Sequence, residues 1–165
     1  MNKAFADTLR YNRWANEQLF SFCRGLDDAQ LDARGAGASG TVRVLLTHIA
    51  GGQQTFVLRT QGRQHEGELN RTSPWPGFEA LTDIVRQSSD DLIAIAESLA
   101  GDEQVDLPYM GKTYRFPTSF FLVHAVEHGV EHRTEIKLTL GSLGIESPDL
   151  DGWAWGAAAG FGTEV

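Results

Sequence analysis

The sequence feature that most constrains the fold is a spacing of three and four between apolar residues, repeated along four long segments. The segments cover roughly residues 2–25, 41–60, 78–100 and 118–140. This spacing places the apolar side chains on one face of an α-helix, and that face needs a partner to be buried. Four such segments, joined by connections of mixed length, predict an all-α fold of the four-helix-bundle type.

Glycine, serine and proline positions refine the predicted helices. Ser39 stands just before the second helix and is predicted to be its N-cap. Pro117 is predicted to open the fourth helix, because proline suits a first turn, and Gly141 is predicted to end it. The pair Gly51-Gly52 falls in mid-helix, where each glycine costs about 1 kcal/mol relative to alanine. We therefore expect a neighbouring helix to approach closely at this pair.

The segments between the helices predict smaller elements. Residues 26–40 are rich in small and turn-forming residues and are predicted to form a loop. Residues 101–117 hold two short alternating pieces, which indicate a small hairpin or an extended loop between the third and fourth helices. The tail at 147–162 is predicted to contain a short extra C-terminal helix. Because the chain has 165 residues and no linker or internal repeat, we expect a single domain over 1–165.

The charge balance argues against several classes of partner. The chain has 22 acidic and 14 basic side chains, for a formal net charge of -8. It therefore offers no basic face for nucleic acid and no polybasic segment for an anionic membrane. No apolar run is long enough to span a membrane, and Asp7 and Asn12 interrupt the stretch where a signal peptide would be apolar. A cytoplasmic location is predicted, and the single cysteine, Cys23, fits a reducing compartment.

Three of the five histidines recur at every fourth position of the segment HAVEHGVEHR, at His124, His128 and His132. Residues four apart lie one turn apart on nearly the same helix face, so a neighbouring pair can direct two imidazoles to one metal ion. The outer two are separated by about 12 Å of helix rise, which is too far for all three to converge easily. A pair with a ligand from another helix is therefore favoured, and the spacing leaves open whether the pair is 124/128 or 128/132.

The best outside ligand is His48, which lies beside the apolar stripe of the second helix. His65 lies in a polar connecting segment and is expected to be exposed. The competing interpretation is a metal-free bundle in which the histidines are ordinary surface or core residues.

Three segments together resemble a known family. They are YNRWAN at 11–16, LLTHIAGGQQTFVLR at 45–59 and HAVEHGVEHRTEIKLTLGSLG at 124–144. Their order and spacing are similar to those of DinB/YfiT-type proteins, small metalloenzymes built on a four-helix bundle. The resemblance spans most of the chain and implies the same fold here.

The resemblance also implies a set of metal ligands: His48, His128 and His132. His124 matches a position that is often histidine but is not a usual ligand. Glu135 departs from the pattern, because many members have glutamine there. It is not expected to contact the metal, although it adds negative charge near the helix.

Three neutral imidazoles would leave a divalent ion with an open coordination position, as in catalytic rather than structural sites. Imidazole suits several transition metals, of which zinc or nickel is expected here. Metal-bound histidines normally donate their second nitrogen to an acceptor, for which Glu127, Glu131 and Asp7 are candidates. No general base or other catalytic residue can be named from the sequence.

Two enzyme functions are compatible with such a site. The resemblance implies either a thiol-dependent S-transferase that uses a low-molecular-weight thiol or a hydrolase, acting on a small-molecule substrate in both cases. The alternative is a non-enzymatic stress-response or metal-binding helical-bundle protein. The resemblance further implies a homodimer, for which the apolar tail at 153–161 could cover a partner.

Overall fold

The computed structural model describes residues 3–64 and 69–162 and consists there of six helices and one β-hairpin. In chain order the elements are α1 (Lys3–Cys23), α2 (Asp28–Leu31), α3 (Val42–Thr60), α4 (Phe78–Ser98), β1 (Gln104–Tyr109), β2 (Lys112–Pro117), α5 (Thr118–Ser142) and α6 (Gly152–Ala158). The four long helices fall on the four segments with helical spacing. The predicted all-α four-helix bundle is therefore confirmed, together with the hairpin and the short C-terminal helix.

The four long helices pack around one interior, with α1 diagonally opposite α3 and α4 diagonally opposite α5. α1 and α3 each contact both α4 and α5. The interior contains two groups of buried apolar side chains, the larger one centred on residues such as Leu19, Leu45 and Ile136, which are fully buried. Because α3 packs along α5, the middle of α3 faces the histidine-bearing turns of α5.

Two helix ends, the start of α3 and the end of α5, differ from those predicted. The N-cap of α3 is Thr41, whose side-chain oxygen accepts a hydrogen bond from the Val44 amide, and not Ser39. α5 continues past Gly141 to Ser142 and ends before Gly144, whose φ of 74° provides the left-handed conformation that terminates helices. Gly141 has an ordinary helical conformation, so it does not have to end the helix.

The hairpin and α2 have clear local causes. β1 and β2 pair antiparallel, and both turn residues, Met110 and Gly111, have positive φ, as a tight two-residue hairpin turn requires. α2 lies within the segment predicted to be a loop, so that prediction is wrong over one turn. A reciprocal capping box between Asp27 and Gln30 stabilises this turn.

The C-terminal helix α6 lies against α1. The Tyr11 hydroxyl donates to the Leu150 carbonyl at 2.9 Å, and the rings of Tyr11 and Trp155 are 5.9 Å apart. Trp153 and Phe161 of the same tail remain exposed. Over the described ranges, every helix is too short or too polar to cross a membrane.

Candidate metal centre

His48, His128 and His132 converge where the middle of α3 packs against α5. Their ring centroids are 4.5 to 4.7 Å apart. The Nε2 atoms of His48 and His128 are 3.0 Å apart, and one nitrogen from each of the three rings lies within 4.8 Å of the others. The geometry thus groups the pair 128/132 with His48, the alternative that helical spacing alone left open.

His124 takes no part in this cluster. Its ring lies between those of Phe56 and Phe120, at 4.7 and 5.9 Å, and is 6.3 Å from the ring of His128. Its side chain is 40% exposed, so it lines the edge of the site and is not a core residue. His65 lies outside the described residues.

Gly52 makes the close approach of α5 possible. A Cβ atom on Gly52 would lie 2.5 Å from Cε1 of His128, which real Cβ contacts do not allow. The expectation of a closely packed helix is right for this glycine. At Gly51 the close neighbour is instead the Leu69 carbonyl of a connecting segment, 1.7 Å from a hypothetical Cβ.

We expect Gly52→Ala to weaken metal binding by roughly 10–100-fold, because the new methyl group displaces the His128 imidazole and orientation of a ligand carries that much affinity. Competition with a chromophoric chelator measures the change. Gly141→Ala is the matched control, since a Cβ there meets no atom within 4 Å. Equal metal affinity in the Gly52→Ala and Gly141→Ala proteins would show that the close contact is unimportant.

The protein environment keeps the three imidazoles neutral. Burial lowers the pKa of His48 to about 4 and that of His128 to about 3. Burial is also the main cause that lowers the pKa of His132. Neutral imidazole is the form that binds metal, so these histidines need not lose a proton at neutral pH to become ligands.

Glu135 is the carboxylate that supports His132. Its Oε1 lies 3.6 Å from Nδ1 of His132, a buried nitrogen without a hydrogen-bond partner in the described part of the chain. Its Oε2 accepts hydrogen bonds from the Ser39 amide and hydroxyl at 3.0 and 2.7 Å. Ser39 therefore fixes the carboxylate and does not cap α3.

The carboxylates predicted from the sequence to accept hydrogen bonds from the metal-bound histidines make other contacts. Asp7 forms ion pairs with Lys3 and Arg10, and the exposed Glu127 lies near His124. Glu131 is exposed, and among the described hydrogen bonds none joins it to a ring of the cluster. The candidates Asp7 and Glu127 were wrong: Asp7 is paired with basic residues of its own helix, and Glu127 lies beside His124, which is outside the cluster.

We expect Glu135→Ala to reduce metal affinity by about 10–100-fold, the usual effect of removing a group that orients a metal-bound histidine. Glu131→Ala, one turn earlier on the exposed face of α5, removes the same charge and serves as the control. A chelator competition that finds both variants equal to the unchanged protein would exclude a supporting role for Glu135.

The donor set fits a divalent transition ion. All three donors are neutral imidazole nitrogens, and two nitrogens bound to one tetrahedral zinc lie about 3.3 Å apart. The 3.0 Å between the Nε2 atoms of His48 and His128 is close to that value. The second nitrogen of His132 faces a carboxylate, as in many metal-bound histidines.

Arg71 is a site residue that the sequence did not indicate. Its Nη2 lies 3.4 Å from Nε2 of His132, and its Nη1 donates to the Ser39 carbonyl at 3.1 Å. Arg71 belongs to a polar connecting segment with no helical or strand spacing, so only the folded chain brings it to the cluster.

A buried polar network lies directly behind the cluster. Nη1 of Arg133, the neighbour of His132, donates to Oδ1 of Asn12 and of Asn16 at 2.7 and 2.6 Å. Asn16 donates to Gln53, and Gln53 donates to Ser89 of α4. This network gives a physical role to the YNRWAN segment, since it ties α1, α3 and α4 to the helix that carries two of the histidines.

The chain is a four-helix bundle with a cluster of three histidines between two of its helices. The DinB family model matches residues 1–159. The chain therefore belongs to the DinB family. Comparison with curated protein sequences gives no significant match.

Solved structures show the same fold at low sequence identity. A DinB-like protein from Bacillus cereus ATCC 10987 is 20% identical with a TM-score of 0.65, covering 90% of this chain and 96% of its own. YfiT from Bacillus subtilis is 14% identical with a TM-score of 0.69, covering 88% and 91%. The DinB-like protein YjoA from Bacillus subtilis is 16% identical with a TM-score of 0.59, covering 88% and 98%.

Proposed function

We propose that this chain binds one divalent transition-metal ion through His48, His128 and His132 and acts as a metal-dependent enzyme on a small molecule. The observation that carries the proposal is the convergence of three neutral imidazoles within 4.8 Å, those of His128 and His132 buried and that of His48 half-buried. YfiT from Bacillus subtilis, which shares the fold, is described as a probable metal-dependent hydrolase. Zinc or nickel is the expected metal, since both bind imidazole well.

The surroundings of the cluster favour an enzyme over a structural metal site. A cavity of about 290 Å³ opens beside the cluster and is lined by His48 and His128. Structural zinc sites are usually closed by four protein ligands, whereas three ligands leave a position for water or substrate. A divalent ion bound there would supply Lewis acidity and lower the pKa of a water or thiol ligand.

The chain's own residues would hold and orient the reacting groups. Glu135 keeps the His132 ring in place through its contact with Nδ1. Phe56 forms an apolar wall that excludes water from one side of the cavity, and His124 is the remaining imidazole among the described lining residues. That imidazole can accept or donate a proton at the cavity edge.

Two reactions remain within the proposal. In the first, a thiol-dependent S-transferase, a low-molecular-weight thiol attacks an electrophilic small molecule. In the second, a hydrolase, water attacks the substrate. The alternative is a non-enzymatic metal-binding or stress-response bundle. Such a protein would have no need of a cavity beside the histidines.

The first test is elemental analysis of untagged protein purified without chelator or nickel resin. About one equivalent of metal per chain is expected, as for one shared three-histidine site. The metal-loaded and chelated proteins are then compared for consumption of a thiol with an electrophile and for ester hydrolysis. Failure to retain zinc or nickel after reconstitution would remove the proposal, and metal binding without turnover of any kind would favour the non-enzymatic alternative.

Homodimerisation and a cytoplasmic location belong to the same proposal. Trp153, 89% exposed at the start of α6, is a large apolar side chain that a second copy could cover.

A further inference from the structure

The cavity beside the histidines is cationic although the protein is acidic. The whole chain has a formal net charge of -8. Yet the described residues that line the cavity include Arg59 and no carboxylate, and the next residue after the lining Asn70 is Arg71. A local excess of positive charge against the sign of the whole protein attracts small anions to this site.

Arg71 is held at the histidine cluster, next in sequence to the cavity-lining Asn70, by a closed set of contacts. Its Nη1 donates to the Ser39 carbonyl at 3.1 Å, and Ser39 donates twice to Glu135. Glu135 lies 3.6 Å from His132, whose other nitrogen is 3.4 Å from Nη2 of Arg71. The guanidinium is thus anchored through one nitrogen, while the other lies at the cluster.

Glu135 offsets part of the positive charge of Arg71, but a divalent ion held by the histidines would add two positive charges beside the guanidinium. A guanidinium so close to nitrogens that bind a divalent ion would meet a like charge. A negatively charged group placed between Arg71 and the ion would offset the repulsion and contact both. Arginine is suited to this task because its planar fork binds a carboxylate through two parallel hydrogen bonds.

Part of the cavity lining is apolar. Phe56 is 4% exposed, and its ring lies 5.4 Å from that of His128. Leu69 also lines the cavity, and the guanidinium carbon of Arg59 lies 5.9 Å from the Phe56 ring centroid. At about 290 Å³ the space is small for a ligand pocket, so the ligand that fits is a small molecule with an apolar body.

We propose that the substrate or co-substrate of this site is a small organic acid, with its carboxylate held by Arg71 beside the three histidines and its apolar body against Phe56 and Leu69. This inference rests on the proposed function, because the ion supplies part of the charge that the carboxylate neutralises. It makes Arg71 the residue that selects anionic over neutral ligands.

The test uses benzoate and 3-phenylpropionate as probes, each beside its neutral amide, titrated into the zinc-loaded full-length protein by calorimetry. At least one acid is expected to bind at least tenfold more tightly than its amide. Arg71→Gln should abolish this preference, and Arg71→Lys should retain part of it, since lysine keeps the charge and loses the fork. Arg24→Gln, an equal charge change at an exposed position after α1, is the control and should bind as the unchanged protein does.

Metal content is measured on every variant, so that the two proposals can fail separately. A protein that holds zinc but binds neither acid better than its amide overturns the anion inference alone. The same follows if Arg71→Gln keeps the preference, or if it loses its zinc, since Arg71 would then maintain the cluster. A protein that holds no metal overturns the proposed function and this inference with it.

Discussion

His128→Ala is expected to reduce the bound metal from about one equivalent to nearly none, with a loss of affinity greater than about 100-fold. His48→Ala should have the same effect although it lies on a different helix, because its Nε2 is 3.0 Å from that of His128. With one imidazole removed, two neutral ligands remain, which is too few for a firm site. Elemental analysis after dialysis, followed by chelator competition, measures both losses.

His124→Ala is the matched control for this experiment. It removes an imidazole from the same helix at the same four-residue spacing, but its ring is 6.3 Å from that of His128 and lies between two phenylalanines. It should retain the metal. If His124→Ala loses the metal and His132→Ala keeps it, the pair 124/128 would be the ligand pair and the grouping described above would be wrong.

The fold was predictable from the sequence because each long helix needs an apolar face. The apolar spacing was clearest in α1 and α4 and weak in α5, where apolar residues lie on several faces of the helix, so Pro117 and Gly141 were needed to place that helix. Helix ends were harder, since Ser39 and Thr41 are both good caps and only the path of the chain selects Thr41. Ser39 was wrongly predicted because its hydroxyl serves Glu135, a residue 96 positions away in sequence.

The site was predictable only in part, for a similar reason. The four-residue spacing of histidines marks a helix face, but the choice between His124 and His132 depends on where α3 crosses α5. Gly52 fixes that crossing by leaving room for His128. Arg71 could not be foreseen, because no local pattern shows that a polar connecting segment will return to the histidines.

The largest stability effect is expected at Asn16, which is fully buried in the polar network behind the cluster. Its Oδ1 accepts from Nη1 of Arg133 at 2.6 Å, and its Nδ2 donates to Oε1 of Gln53 at 2.8 Å. Arg133 is 3% exposed, and among the described residues its hydrogen-bond acceptors are the neutral amides of Asn12 and Asn16. The cation therefore depends on those two oxygens and on the Tyr11 ring, whose centroid lies 5.7 Å from the guanidinium carbon.

Asn16→Leu should lower the free energy of unfolding by about 3 kcal/mol, because the buried guanidinium loses one of its two hydrogen-bond acceptors and Gln53 loses its donor. Leucine has the same number of side-chain heavy atoms and the same branching as asparagine, so the substitution leaves no cavity. The double variant Asn16→Leu with Arg133→Met removes the cation as well and should recover part of the loss, because the buried charge is gone while Asn12 and Gln53 each keep an amide oxygen that has lost its donor. Urea unfolding of metal-free protein measures all three free energies without a contribution from metal binding.

The double variant decides what the network does. If it is no more stable than Asn16→Leu alone, the loss comes from packing and not from a guanidinium that lacks one of its acceptors. If stability recovers but metal affinity does not, the network acts on the site: Arg133 is adjacent to His132, and its hydrogen bonds to α1 set the rotation of α5 about its axis. A rotation of α5 moves His128 and His132 together relative to His48, so the polar interior behind the cluster would be what holds the three imidazoles in register.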